Sequence, residues 1–254
     1  MAILTETAGA VARIQIARPQ RKNAITADMY AALADALRAA EADDSARVIL
    51  LHGQSDVFSA GNDLEDFLRS PPQSADAPVF RFMAALSGAA KPVVAAVNGA
   101  AVGIGTTLLL HCDLAYCADD ARLSLPFVNL GLCPEFGSSL LLPLAAGYHR
   151  AAEKLLLGEP VSAEEALSMG LVNRILPPGE VLEYAQRQCA RLARLSPAAV
   201  RETKRLLKAG WREATARAIA DESAAFGRLL QSAEAREAFA AFLSPRSAAA
   251  PRAG

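Results

Sequence analysis

Residues 93–110 read VVAAVNGAAVGIGTTLLL and give the clearest indication of the fold. The apolar run at residues 93–97 is typical of a strand buried in a sheet, and the apolar residues after the glycines predict a helix through Leu110. A strand, a glycine turn and a helix in this order leave the first helical N–H groups without partners, at the positive end of the helix dipole. Such a corner binds anions, including an oxyanion that forms only during a reaction. Close packing of helix on strand, which also requires glycines, is the alternative interpretation.

The glycines of this segment do not complete the dinucleotide-binding pattern. Gly103 and Gly105 have the first part of its spacing, but Leu108 stands where the third glycine of the pattern belongs. The segment therefore does not predict a dinucleotide cofactor.

Strands and helices alternate on both sides of this segment. Residues 11–16 alternate loosely between apolar and polar, as a half-buried strand does, and residues 48–51 form a second apolar run. Between them, Thr26 can cap a helix whose apolar residues recur at helical spacing, at Met29, Tyr30, Leu33 and Leu37. This order predicts an α/β protein built from βα crossover units, with helices packed on sheet layers.

The last third of the sequence has a different pattern. Ser162 and Glu165 fit a capping box, and Ser196 followed by Pro197 fits an N-cap with proline at the first helical position. From there to Phe242 the chain predicts successive helices rich in Ala, Arg and Glu. We therefore expect a core at residues 1–195 and a helical region at residues 196–254 that serves packing and oligomerisation.

Composition limits the classes of function. The chain has 254 residues, 52% of them hydrophobic, and a formal net charge of −1, so a sizeable core is expected and electrostatics favour neither nucleic acid nor an anionic membrane as a partner. The three histidines, His52, His111 and His149, are scattered, and no metal site is expected. No secretion signal or membrane-spanning run is evident, which predicts a cytoplasmic protein.

Two further segments carry residues suited to chemistry. Residues 58–64, FSAGNDL, combine small residues with a glycine, so the backbone can approach a ligand closely and the N–H of Asn62 can point at an oxygen. Residues 123–139, LSLPFVNLGLCPEFGSS, place Glu135 in an apolar run. Burial raises the pKa of such a carboxyl, which can then accept and return a proton near neutral pH. An ordinary turn and an exposed loop glutamate are the respective alternatives.

The three segments together predict a device for moving a proton next to a carbonyl group. Two N–H donors would hold the enolate oxygen, while the glutamate takes the proton and returns it elsewhere.

In this order and spacing, the segments resemble the crotonase superfamily of enoyl-CoA hydratases and isomerases. The resemblance extends over nearly the whole chain and is supported by the following stretches: RPQRKNAIT at 18–26, LPFVNLGLCPE at 125–135, GLVNRILP at 170–177 and SPAAVRETK at 196–204. It implies a spiral of repeated ββα turns with a C-terminal helical region used in forming a homotrimer or a dimer of trimers. It also implies an acyl-CoA thioester substrate without a separate cofactor, since coenzyme A is part of that substrate.

The resemblance assigns roles to individual residues. It implies that the N–H groups of Asn62 and Ile104 hold the thioester oxygen, and that Arg21 and Lys22 lie where a cation can approach the CoA phosphates. Besides Lys22, the residues that it implies in substrate binding are Ala60, Gly61, Asp63, Leu64, Gly103 and Phe127. In the family a lysine near the position of Phe242 often reaches a neighbouring subunit's CoA; here Arg246 is the nearest cation, and whether it does so is left open.

Departures from the family pattern favour one reaction over another. Hydratases of the family have two glutamates that share a water, and these positions fall on Thr107 and Phe127 here. Glu135 falls where Δ3,Δ2-enoyl-CoA isomerases have their single catalytic glutamate. We therefore predict a shift of a double bond from position 3 to position 2. A hydratase, a hydrolase or another acyl-CoA enzyme is the first alternative, and a non-catalytic acyl-CoA-binding subunit is the second. The segment 70–80 is expected to border the acyl tunnel.

Overall fold

The computed structural model describes residues 2–69, 71–72, 74 and 76–243. Its strands are β1 Ile3–Ala8, β2 Val11–Ile16, β3 Val48–His52, β4 Val57–Ser59, β5 Val93–Val97, β6 Ala100–Val102, β7 Leu114–Ala118, β8 Arg122–Ser124, β9 Val161–Ser162 and β10 Arg174–Leu176. Its α-helices are α1 Ala27–Ala42, α2 Leu64–Arg69, α3 Pro78–Ser87, α4 Ile104–Thr107, α5 Ser138–Ala146, α6 Tyr148–Leu157, α7 Ala163–Ser168, α8 Val181–Ala193, α9 Pro197–Ala209, α10 Arg212–Leu230 and α11 Ala233–Leu243.

The strands form two sheets, and each successive turn of the chain adds one strand to each sheet. The first sheet has the order β1-β2-β3-β5-β7-β10 and the second the order β4-β6-β8-β9. Strands β3, β5 and β7 add one after another to the first sheet, while β4, β6 and β8 add to the second, all in parallel pairings. Helices follow each strand of the second sheet. This is the predicted α/β spiral of ββα turns, and the fold class is confirmed.

The central strands are buried because helices and the second sheet cover them. Val48 to Leu51 and all of β5 are buried, which explains why these segments read as continuous apolar runs rather than as alternating ones. Helix α8 packs across β3, β5 and β7. Helix α1 packs against α3, and its buried face contains Met29, Tyr30, Leu33 and Leu37, as the helical spacing predicts.

Local signals at the helix ends are confirmed. The Thr26 and Ser196 hydroxyls accept hydrogen bonds from the first turns of α1 and α9, and Ser162 and Glu165 form the capping box of α7. One boundary differs from prediction: the helix after Gly103 ends at Thr107, and a 3-10 helix continues through residues 108–111.

The C-terminal helices contact the core rather than standing apart from it. Helix α10 packs against α5, and α11 packs against the short 3-10 helix at Val128–Leu130. The division of the chain at residue 195 stays a prediction. Within the described residues, no helix is both long enough and apolar enough for a bilayer crossing.

Candidate active site

Each of the three segments singled out in the sequence contains the end of a strand of the second sheet. Ala60 follows β4, Gly103 follows β6 and Leu125 follows β8. Neighbouring parallel strands have their carboxyl ends at the same edge of a sheet, and β6 pairs with both β4 and β8. Segments up to about 80 residues apart in sequence therefore meet at one edge.

A glycine lets the first two segments approach closely. Gly61 has a φ of +82°, and a Cβ added there would lie 2.6 Å from the backbone oxygen of Val102. On either side of Asn62, the oxygen of Gly61 accepts from Ile25 and the N–H of Asp63 donates to Ile25. The N–H of Asn62 itself has no acceptor within the described part of the chain. It is therefore free to bind a ligand oxygen.

The second N–H group opens helix α4. Gly103 is the N-cap residue of α4 and has φ +55° and ψ −119°, a conformation that favours glycine. No side chain of this residue caps the first N–H groups of the helix. Ile104 is the first helical residue, and among the described residues its N–H also has no acceptor. Gly105 permits close packing on β4, since a Cβ there would lie 2.8 Å from the backbone oxygen of Ser59. Close packing of helix on strand therefore accounts for Gly105, whereas Gly103 precedes the N–H of Ile104, for which anion binding stays a prediction.

A groove of about 710 Å³ runs along this edge. Seven of the residues predicted for the site line it: Ala60, Gly61, Asn62, Asp63, Leu64, Gly103 and Phe127. Arg21 also lines the groove, whereas Lys22 lies on an exposed turn and is not among the lining residues. Of the two cations predicted near the CoA phosphates, the structure places Arg21 in the groove. Arg246 lies outside the described residues.

The Asp63 carboxylate is engaged within the protein. It is 2.7 Å from the Arg18 guanidinium and 3.6 Å from that of Arg21, and it also accepts from the N–H of Asp66 at the start of α2. Asp63 is 4% exposed, so this pairing compensates the cost of its burial. Its carboxylate therefore stabilises the turn after β4.

Glu135 lies in the turn before α5 and is 6% exposed. Its Oε1 accepts a hydrogen bond of 2.5 Å from the hydroxyl of Thr107, which is fully buried. Burial raises the pKa of Glu135 to about 8; the charge of Glu222 adds to this rise, and the Thr107 hydrogen bond opposes it. A carboxyl with this pKa exchanges protons near neutral pH.

The turn that contains Glu135 is fixed by neighbouring groups. The Ser138 hydroxyl donates to the backbone carbonyl oxygen of Glu135 at 2.6 Å, and His111 Nε2 lies 2.7 Å from the backbone carbonyl oxygen of Phe136. The ring of His111 stacks on that of Phe136 with centroids 3.9 Å apart. Burial lowers the pKa of His111 to about 4, so this imidazole is neutral at pH 7 and supports the turn structurally.

A small inner cavity of about 40 Å³ lies beside Glu135. It shares Asn62, Phe67 and Phe226 with the groove, so the two spaces adjoin. Its other walls are mainly apolar and come from the 70–80 segment, α3 and α10: Pro72, Val79, Phe80, Met83, Ser223, Gly227 and Leu230. Three residues of the segment predicted to border the acyl tunnel therefore line this cavity, while Ser70, Gln73 and Ala75 lie outside the described residues.

Sequence reasoning missed the residues that support the site from other elements. The Tyr30 hydroxyl donates to the Asn62 Oδ1 at 2.5 Å, and Glu222 reaches the Glu135 turn from α10. The helical spacing of Tyr30 predicts only a place on the buried face of α1, and Glu222 lies in a charged helical stretch. Neither position carries a local signal that distinguishes it from an ordinary helix residue.

Thr107 and Phe127, where the resemblance predicts the glutamates of hydratases to fall, have other roles in the structure. Thr107 donates its hydroxyl to Glu135, and Phe127 is 5% exposed with its ring beside Gly103. A buried carboxyl of raised pKa beside unpaired main-chain N–H groups is the equipment of enzymes that transfer protons next to a carbonyl group. The fold and the site together point to this class of enzyme.

Comparison with known proteins narrows that class to a family. A family model described as enoyl-CoA hydratase/isomerase matches residues 6–249. The chain belongs to this family of enzymes, and its resemblance to the crotonase superfamily is confirmed.

Relatives within the family carry names for different reactions. The chain is 34% identical over 244 residues to enoyl-CoA delta isomerase 2 of Homo sapiens, covering 93% of this chain and 62% of that protein. It is 32% identical over 231 residues to 2,3-dehydroadipyl-CoA hydratase of Escherichia coli, covering 91% of each. The chain thus spans less than two thirds of the human relative but most of the bacterial one.

Solved structures show the same fold over almost the whole chain. OdaA of Pseudomonas aeruginosa superposes with a TM-score of 0.94 at 49% identity, covering 96% of this chain and 99% of that one. An enoyl-CoA hydratase/isomerase of Pseudoalteromonas atlantica gives a TM-score of 0.92 at 40% identity, covering 95% and 96%.

Proposed function

We propose that this protein is a Δ3,Δ2-enoyl-CoA isomerase with Glu135 as its single acid and base. The acyl-CoA lies in the groove, with its thioester oxygen at the N–H groups of Asn62 and Ile104. The coenzyme A moiety is part of the substrate, and no separate cofactor takes part.

In the proposed reaction the Glu135 carboxylate removes a proton from C2 of a 3-enoyl-CoA. The electron pair of the broken C–H bond moves into a dienolate, whose oxygen accepts hydrogen bonds from the two N–H groups. The neutral carboxyl then returns the same proton to C4, which leaves the double bond between C2 and C3. Atoms and charge balance without a further reactant.

The observation that supports this reaction most directly is the isolation of Glu135. The other carboxylate that acts on its charge, Glu222, is directed at the start of α5, where its two oxygens accept from the backbone N–H groups of Gly137 and Ser139. The walls of the cavity beside Glu135 are largely apolar, and Phe127 adds an apolar ring to the adjoining groove, so the site offers no second carboxylate opposite Glu135 among the described lining residues of the cavity. A single base suits a proton shift better than the addition of water.

Glu135→Gln tests the assignment because glutamine retains the shape of the side chain but does not accept the proton. We expect turnover of a 3-enoyl-CoA to fall by far more than tenfold, while Glu213→Gln, an exposed change of the same type on α10, retains wild-type turnover. A fall of less than about tenfold, or roughly 1.4 kcal/mol of barrier, would show that Glu135 is not the base.

A hydratase is the second candidate, because several relatives carry that name. Incubation with a 2-enoyl-CoA separates the two reactions. A 3-hydroxyacyl product at a rate comparable with isomerisation would favour the hydratase. Binding of CoA thioesters without turnover by either the wild type or Glu135→Gln would instead favour a non-catalytic subunit.

We also propose that the protein forms a homotrimer or a dimer of trimers. Large apolar side chains on α9 and just before α10 are exposed in the single chain, namely Leu206, Leu207 and Trp211. Light scattering of the purified protein measures this directly, and a monomeric mass at micromolar concentration would contradict it.

A further inference from the structure

Helix α10 carries a buried carboxylate that the reaction described above does not use. Glu222 is 6% exposed, although it lies in the middle of a helix with many exposed polar residues. Its Oε2 accepts from the N–H of Gly137 at 2.5 Å, and its Oε1 accepts from the N–H of Ser139 at 2.7 Å. A carboxylate in this position is compensated by charge-assisted hydrogen bonds from backbone groups.

The two N–H groups belong to the start of α5, immediately after Glu135. Gly137 occupies the N-cap position with φ +74° and has no side chain that could cap the helix. Helix α10 lies against this turn, since a Cβ at Gly137 would be 3.3 Å from Thr215 Cγ2 and 3.4 Å from an Ile219 carbon. Glu222 therefore supplies from a distant segment the capping group that the local sequence lacks.

We propose that Glu222 is a positioning residue for Glu135. It ties the 135–139 turn to α10, so that the Glu135 carboxyl is held at the inner cavity beside Thr107. The inference rests on the proposed function, because it assumes that Glu135 exchanges the proton. Two nearby residues of α10, Ser223 and Phe226, line the same cavity, so the anchoring also sets the distance between the base and one wall of the cavity.

The charge of Glu222 has a separate effect on the pKa of Glu135. Burial is the largest cause that raises this pKa, the charge of Glu222 raises it further, and the hydrogen bond from Thr107 lowers it. Tyr30, Cys133 and His111 also lie around this turn and are neutral near pH 7, because burial raises the pKa of Tyr30 and Cys133 and lowers that of His111. The more distant cations are Lys208, which acts on His111, and Arg228, which acts on Cys133.

Glu222→Gln removes the charge and one of the two acceptors. We expect kcat with a 3-enoyl-CoA to fall about tenfold to a hundredfold, because a small displacement of a catalytic group has effects of this size. KM should change little, and the acid limb of the kcat–pH profile should move to lower pH. Asp221→Asn is the matched control: the neighbouring carboxylate on α10 is exposed, and its loss should leave both kcat and the profile unchanged.

A wild-type kcat together with an unmoved acid limb in Glu222→Gln would overturn the proposal. Should this variant fail to fold, Glu222→Asp keeps the charge but is one methylene too short to reach both N–H groups. It should show a reduced kcat with the acid limb near its wild-type position, and a wild-type kcat would again overturn the proposal. If Glu135→Gln remains active, the proposed function fails; if it is inactive while both Glu222 variants behave as wild type, only this inference fails.

Discussion

The hydrogen bond between Thr107 and Glu135 gives a quantitative test of what sets the pKa of Glu135, the proposed base. The hydroxyl donates to Oε1 at 2.5 Å, both side chains are buried, and the bond lowers the pKa of Glu135 against the effect of burial. A hydrogen bond to a charged group contributes about 1.5–3 kcal/mol. Thr107→Val removes the donor while nearly preserving the volume of the side chain.

Loss of the donor destabilises the ionised form of Glu135. Since about 1.4 kcal/mol corresponds to one pKa unit, the pKa should rise by about one to two units above its value of about 8. At pH 7 the carboxylate fraction then falls from about a tenth to between a hundredth and a thousandth. We therefore expect kcat at pH 7 to fall about tenfold to a hundredfold, with most of the loss recovered at high pH.

The assay is the kcat–pH profile of isomerisation with a saturating 3-enoyl-CoA, compared between the wild type and Thr107→Val. Thr107→Ser retains the hydroxyl and serves as the control, with an acid limb near that of the wild type. An acid limb of Thr107→Val that stays in place or moves to lower pH would refute the reasoning. A loss of kcat that is equal at all pH values would show instead that Thr107 acts on the geometry of the site.

Two further predictions concern stability. The pKa of Glu135 is about 8 in the folded protein, against an ordinary value of 4.5. Between pH 4.5 and pH 8 the folded protein therefore keeps a proton on Glu135 that the unfolded chain loses. The free energy of unfolding falls as pH rises through this range. Glu135→Gln should therefore raise the free energy of unfolding in urea by on the order of 4 kcal/mol at pH 8.5 and by little at pH 4.5; an equal gain at both pH values would contradict this. Gly61→Ala places a Cβ 2.6 Å from the Val102 oxygen at φ +82°, so it should cost about 2–4 kcal/mol of unfolding free energy and lower kcat. Gly9→Ala, at φ +60° with open space around it, should cost only about 1–2 kcal/mol and leave kcat unchanged; similar losses in both variants would show that the close approach at Gly61 does not matter.

The sequence alone predicted the features that depend on local chemistry. The apolar runs of β3 and β5 indicated buried strands, the spacing from Met29 to Leu37 indicated the buried face of α1, and Ser162 with Glu165 indicated a helix start. Each of these signals is contained within a few residues, because hydrophobic periodicity and capping operate over one or two turns. The family could be recognised for a related reason, since its motifs are short and keep their order.

The assembly of the site depended on the tertiary structure. Only the pairing of β4, β6 and β8 shows that three distant segments meet at one sheet edge. The ion pairs of Asp63 with Arg18 and Arg21, and the position of Arg21 rather than Lys22 in the groove, also depend on contacts between separate segments. Glu222 is the clearest case: it reaches Gly137 across 85 residues of sequence. A contact of that separation leaves no periodic or local pattern, because its energy comes from packing that exists only after the chain has folded.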